Sequence, residues 1–212
     1  MLNPVACAHL IATHGERIRW FEALPCDCRD PGDPDFGDHR SCDKCQYGYV
    51  YREQPLTGDE RAMVTQIRRE ILSADLGLLQ VGDLVLTTMP DQIPVGNWDR
   101  IVLVQRTVPK KEVVRFGEDT LGEEFPVEVM AVTAGTTLYA CDVDYRLDRA
   151  TRRIVWQAGG SSPGQGVYAV QYVYNPVFWY VGSALKTGRP IPGRKMLMPQ
   201  SGKLSLKHPL EG

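Results

Sequence analysis

The sequence predicts a mainly β fold, an antiparallel sandwich or barrel, on three observations. From Gly77 onward the hydrophobic period is close to two, which marks residues 83–88, 100–107, 111–116, 126–132, 137–143, 154–156 and 167–174 as candidate strands. Turn signals separate them at short, regular intervals, and 20 Gly and 15 Pro in 212 residues supply those turns. Long helical patterns do not alternate with the strands, so a parallel α/β sheet is excluded.

The elements before and after this body are read in chain order. Residues 1–24 hold a short apolar helix from Pro4, stopped by His14 and Gly15, then a strand carrying Ile18, Trp20 and Glu22 in alternation. Residues 25–51 are a Gly/Pro/Asp-rich loop between that strand and the aromatic strand at 47–51, a hairpin insertion. Residues 52–182 form the body, led by a short helix over 60–72 in which Met63, Ile67 and Ile71 share a face and Thr57 offers a cap. Asp148, Arg149 and Ala150 before Ile154 predict a hairpin tip. Residues 183–212 read as an extended arm, because Pro190, Pro192, Pro199 and Pro209 oppose regular structure.

A chain of this length with 43% hydrophobic and 24% charged residues builds a real core, which excludes disorder and a coiled coil. The formal net charge of -2 excludes a general polyanion binder, so any contact with nucleic acid must be local. The arm is where such a contact belongs: Lys186, Arg189, Arg194, Lys195, Lys203 and Lys207 face a single acid, Glu211, and are the candidate partner-binding residues. No apolar run approaches the ~20 residues that span a bilayer, so no membrane is expected. The first residues lack a basic stretch followed by an apolar one, and synthesis in the cytoplasm is the expectation.

Four of the six cysteines fall within twenty residues as Cys26-x-Cys28 and Cys42-x-x-Cys45. Thiolates in this arrangement close a tetrahedral site, and the second pair has the spacing of a knuckle that presents two sulfurs to one ion, so a structural zinc is expected, with His39 as the substitute ligand. The metal would stand in for the core this loop lacks. The aspartates of the same loop fail the calcium pattern: starting from Asp33, the sixth and twelfth positions are Asp38 and Lys44 rather than Gly and Glu. Cys7 and Cys141 read as small buried hydrophobes.

The remaining motifs do not build a catalytic site. Gly160-Ser161-Ser162-Pro163-Gly164 has the spacing of a nucleophile elbow, yet a strand rather than a helix follows it and Pro163 opposes the turn. His9, His14, His39 and His208 have no second ligand in sequence reach, and no phosphate-binding loop is present. The aromatic run of Tyr172, Tyr174, Phe178, Trp179 and Tyr180 resembles a base-stacking platform, but the alternation through residues 168–174 assigns it to the core. No enzyme is expected.

Pro-Cys-Asp-Cys at 25–28, the run at 42–51, residues 81–94 leading to 98–103, and residues 145–156 followed by 166–172 resemble a group of tailed-bacteriophage virion proteins of the neck, of the head-tail connector or head-closure type. The resemblance covers most of residues 25–181. It implies a structural subunit located in the virion neck, forming a homo-oligomeric ring of six or twelve copies that joins the portal and head to the tail. Its partners would be neighbouring neck, portal or tail proteins, with possible non-specific DNA contact. A baseplate or tail-tip adaptor and a zinc-containing nucleic-acid-binding regulator are the alternatives.

Overall fold

The computed structural model describes residues 3–28, 42, 45, 48–53, 60–66, 83–89, 95–181 and 201–206. Along them run one helix, α1 (Pro4–His14), and thirteen strands: β1 (Glu16–Pro25), β2 (Tyr49–Glu53), β3 (Arg61–Gln66), β4 (Leu84–Thr87), β5 (Arg100–Leu103), β6 (Val108–Arg115), β7 (Pro126–Ala134), β8 (Thr137–Tyr139), β9 (Tyr145–Asp148), β10 (Arg153–Trp156), β11 (Val167–Tyr174), β12 (Val177–Val181) and β13 (Ser201–Leu206). They fall into two units, one containing α1, β1–β5, β12 and β13, the other β6–β11. The mainly β expectation holds, and its first unit is a barrel.

In that unit the order β1-β3-β4-β13-β12-β5 returns to β1, so six antiparallel strands close on themselves. Closure leaves no barrel edge for another chain to extend. Every second residue points inward: Ile18 and Trp20 from β1, Ala62 and Val64 from β3, Leu84 and Leu86 from β4, Ile101 and Leu103 from β5, Phe178 and Tyr180 from β12, and Leu204 from β13 form one cluster. Burying each large member contributes about 1.5–3 kcal/mol. Gly202 lies under the Tyr180 ring, where any Cβ would overlap the phenol. The Asp99 carboxylate accepts hydrogen bonds from Trp20 Nε1 (2.7 Å), Ala23 N (2.8 Å) and Gly96 N (2.7 Å). The adjoining turn is tied to β12 by Trp98 N to Tyr180 O and Tyr180 N to Asp99 O, both 2.8 Å. Trp98 has φ 72°, uncommon for so bulky a residue, and these bonds hold it there.

The second unit is a four-stranded antiparallel sheet, β6-β11-β7-β8, with the β9–β10 hairpin. Val129, Val132, Tyr139, Tyr168, Val170 and Tyr172 from the sheet join Tyr145 and Ile154 from the hairpin in its core. The partly buried Trp156 packs against this core, with ring centroids 5.1 Å from Tyr139 and 5.3 Å from Tyr168, both edge-on. The buried Asp119 accepts from Tyr168 Oη (2.7 Å), Gly117 N (3.0 Å) and Trp156 Nε1 (3.2 Å). That acceptor and burial raise the Tyr168 phenol above its ordinary range, burial contributing most.

Three expectations are corrected. The helix expected over 60–72 is strand β3 in its described part, because alternate burial of Ala62 and Val64 completes the barrel and outweighs the helical spacing of Met63 and Ile67; residues 67–72 lie outside the described residues. The expected arm is, at 201–206, barrel strand β13 between β4 and β12, so Lys203 is a barrel residue. Its ammonium is buried and pairs with Asp83 Oδ2 at 2.9 Å. Cys141 is exposed and Cys7 only half-buried. The strand Val177–Val181, unread in the sequence because Pro176 interrupts the alternation, pairs with β5 and β13.

Gly202→Val is expected to lower stability by at least about 1–3 kcal/mol through overlap with Tyr180, measured as a lower Tm, and a partner change Tyr180→Ala is expected to recover part of the loss. Lys203→Met is expected to cost about 3–5 kcal/mol in denaturant unfolding by leaving Asp83 buried without its ammonium, while Lys203→Met with Asp83→Leu costs less.

Candidate metal centre

Strand β1 is longer than the barrel needs. Its first residues pair with β3, its middle residues 18–21 pair with β5, and residues 21–25 pair with β2. The β1–β2 hairpin therefore grows out of a barrel strand, and the cysteines lie at its end. Its root is fastened by side chains: Arg19 makes a bidentate contact to Glu53 (2.6 and 2.8 Å), and Arg52 reaches Glu22 at 2.7 Å. The Arg19–Glu53 contact raises the guanidinium's pKa and lowers that of the carboxyl. Such exposed pairs contribute about 0–1 kcal/mol each. The buried Arg100 adds more, its guanidinium lying 4.5 Å from the Tyr51 ring centroid and 5.7 Å from that of Phe21. Burial raises the Tyr51 phenol to about 12.

At the end of the hairpin the backbone bond from Cys26 N to Gly48 O (2.8 Å) closes the ladder. Gly48 has φ 78°, a conformation a side chain would strain. Cys45 N bonds to Cys42 O at 3.4 Å, closing the Cys-x-x-Cys turn, and the Gly48 backbone N–H is directed at the Cys45 sulfur. The sequence predicts Cys26, Cys28, Cys42 and Cys45 as ligands, and their sulfurs all lie within 4.8 Å of one another, with Cys28 Sγ and Cys45 Sγ 3.4 Å apart. Sulfurs about 2.3 Å from a tetrahedral ion are about 3.8 Å apart, so the cluster fits one metal ion. Four thiols and a backbone N–H directed at one of them make a donor set that favours a soft or borderline cation over calcium or magnesium.

Crowding raises the pKa of two of these thiols, Cys28 and Cys45. Cys28 is pushed above the ordinary thiol range by its hydrogen bonds to Cys26 first and Cys45 next, and Cys45 is raised first by burial. A bound cation reverses the balance by displacing the protons. What sequence reading missed at this site is Gly48, three positions after Cys45, and the Arg100 to Tyr51 contact. The first leaves a spacing signal; the second does not, because residues 51 and 100 meet only through the barrel.

His39 lies outside the described residues, as do Lys186, Arg189, Arg194, Lys195 and Lys207. Among the described residues no helix is long and apolar enough to cross a membrane. A cleft of about 910 Å³ between β7 and the β9–β10 hairpin holds Glu128, Arg146, Asp148 and Arg149. Two of these side chains serve local backbone: Asp148 accepts from Ala150 N (3.0 Å) and Thr151 Oγ1 (2.7 Å), and Arg149 Nε donates to Val127 O (2.8 Å).

Because ligand thiols must lose protons to bind, metal affinity is expected to fall as pH is lowered from about 8 to 6, followed by competition with a chromophoric chelator; affinity independent of pH would contradict a thiolate site. Cys28→Ser is expected to weaken binding at least tenfold, about the scale of one lost ligand or its support, while leaving the barrel's near-ultraviolet circular dichroism intact. The chain matches no family model, and a comparison with curated proteins finds no match.

Proposed function

We propose that this chain is a non-catalytic structural subunit of the tailed-bacteriophage neck, assembling as a ring that joins portal and head to tail, and that Cys26, Cys28, Cys42 and Cys45 hold a structural zinc ion. The observation that carries the reading is the placement of the neck-like motifs on framework: they coincide with the metal hairpin, with β4 and β5 of the barrel, and with β9, β10 and β11. A closed four-sulfur set has no open position for substrate, which fits a zinc that stabilises rather than reacts. Binding worth about 10 kcal/mol or more substitutes for a hydrophobic core at the hairpin end.

The regulator alternative draws its phosphate contacts from the basic C-terminal residues, and Lys203, one of the six, is engaged with Asp83 inside the barrel sheet. The other five remain candidates for contact with a neighbouring ring or with DNA. Synthesis in the host cytoplasm and incorporation into the virion complete the reading.

Elemental analysis of purified protein is expected to find one zinc per chain, lost on Cys45→Ser, and iron in its place would overturn the zinc assignment. Gold-labelled antibody viewed by electron microscopy on phage particles carrying this protein is expected to mark the junction of head and tail. Label at the distal tail would transfer the protein to the baseplate. No label on particles whose epitope is shown to be accessible would overturn the virion reading, and retention of duplex DNA at physiological salt would then support the regulator.

A further inference from the structure

The cleft beside the β9–β10 hairpin is bordered by strands that each have a strand partner on one side only. β8 pairs with β7 at residues 132–134, which leaves the 126–131 half of β7 paired with β11 alone among the described residues. β9 pairs with β10 in a separate two-stranded sheet. Val127, Glu128 and Val129 of β7 line the cleft together with Asp142, Arg146 and Leu147. An unpaired half strand beside such a cleft is the setting in which an extended peptide adds to a sheet, and about 910 Å³ is a ligand-sized volume. The charge left unspent there is acidic. Arg149 is engaged with Val127 O, and Asp148 is held below the ordinary carboxyl range first by the Thr151 hydroxyl, with Arg146 adding to the effect. Glu128 and Asp142 make no ion pair among the described residues.

The chain carries a segment of matching chemistry. β12 and β13 are antiparallel neighbours, a pairing that about two to five residues could connect, yet residues 182–200 lie between them. Within that stretch 193–198 read Gly-Arg-Lys-Met-Leu-Met, bounded by Pro192 and Pro199 with no proline inside, so each residue keeps the N–H that a ladder needs. They lie outside the described residues. In a strand, alternation would give one face Arg194, Met196 and Met198 and the other Lys195 and Leu197, so on either face a base precedes apolar side chains. We propose that residues 193–198 of one copy add as a strand to the free half of β7 in a neighbouring copy, Arg194 and Lys195 meeting Glu128 and Asp142 and the apolar side chains lying against Val127 and Leu147. Each copy gives its segment to one neighbour and receives one from the other, a heterologous contact that closes a ring with two distinct faces. Met198 stands close before Ser201, so the neighbour's cleft must come within about 11 Å of the start of β13. One such contact is weak, and ring closure strengthens it because removing a subunit breaks two at once. The inference rests on the proposed ring.

Cross-linking of the full chain tests it, because the exposed Cys141 lines the cleft. Leu197→Cys treated with a short bismaleimide is expected to give covalent multimers, and adding Cys141→Ser to abolish them. A cross-link confined to one chain would place the segment in its own cleft and overturn the contact between copies. In sedimentation equilibrium up to about 200 μM, with circular dichroism to verify folding, wild-type mass is expected to rise with concentration. Arg194→Glu with Lys195→Glu is expected to weaken association at least about tenfold, and adding Glu128→Lys with Asp142→Lys to restore it. Met196→Pro with Leu197→Pro leaves every charge in place and is expected to weaken association at least about fivefold, since the added strand loses ladder N–H groups. The proline variant and the cross-link decide the matter should the charge exchange fail to fold. A wild-type chain that stays monomeric, association unchanged in the glutamate or proline variant, or no rescue by a folded exchange would each overturn the proposal. Gold label at the neck with no cross-link would remove this contact and leave the neck reading standing, whereas cross-linked multimers with no label on particles would keep the contact and remove the neck.

Discussion

Hydrogen bonding along both edges of β1 is the constraint on which the barrel and the cysteine cluster depend. One edge pairs with β5; the other is shared end to end by β3 and β2. The first arrangement closes the barrel, and the second extends β1 beyond it as a hairpin. Asp99 fixes the register from within, since Trp20 Nε1 and Ala23 N both reach its carboxylate. A slip of one residue would turn Ile18 and Trp20 out of the core and leave Asp99 buried without two of its donors. Burial works against that charge, raising the Asp99 pKa, while the three N–H groups oppose the rise.

The hairpin draws on two supports of different kind. At its root, Arg100 stacks beside Tyr51 and Arg19 holds Glu53, so β2 is attached to the barrel by side chains as well as by its ladder. At its end, four thiols take the place of apolar packing. The root contacts involve no cysteine, so the closed barrel does not depend on whether the cysteine end holds a metal.

The β character, the α1 helix, the β9–β10 tip and the cysteine cluster were all legible, because each is set by local chemistry: period-two burial, Asn3 accepting from Val5 N ahead of Pro4, an Asp148 turn, and ligand spacing. Barrel closure was not. Residues 61–66 carry apolar side chains compatible with either helix or strand, and only β1 and β4 on their flanks decide the outcome. Lys203 reads as a solvent-facing cation until β4 brings Asp83 to it, a contact made across more than a hundred residues of chain. Sequence spacing carries no trace of such pairings, nor of the cleft formed between β7 and the β9–β10 hairpin.

The path of the chain also bears on the order of folding. Between β5 and its barrel neighbour β12, residues 105–176 hold all the strands of the second unit, β6–β11, with their own core. The barrel, by contrast, waits for β13, whose Ser201 meets Thr87 at a separation of 114 residues. During synthesis from the N-terminus the strands β6–β11 are all made first, while β1, β3, β4 and β5 form an open sheet. Closing so distant a pairing is slow, and until β13 arrives the edges of β4 and β12 stay available to other chains. Nascent protein is most exposed to misassembly in that interval, and a chaperone that shields strand edges would act there.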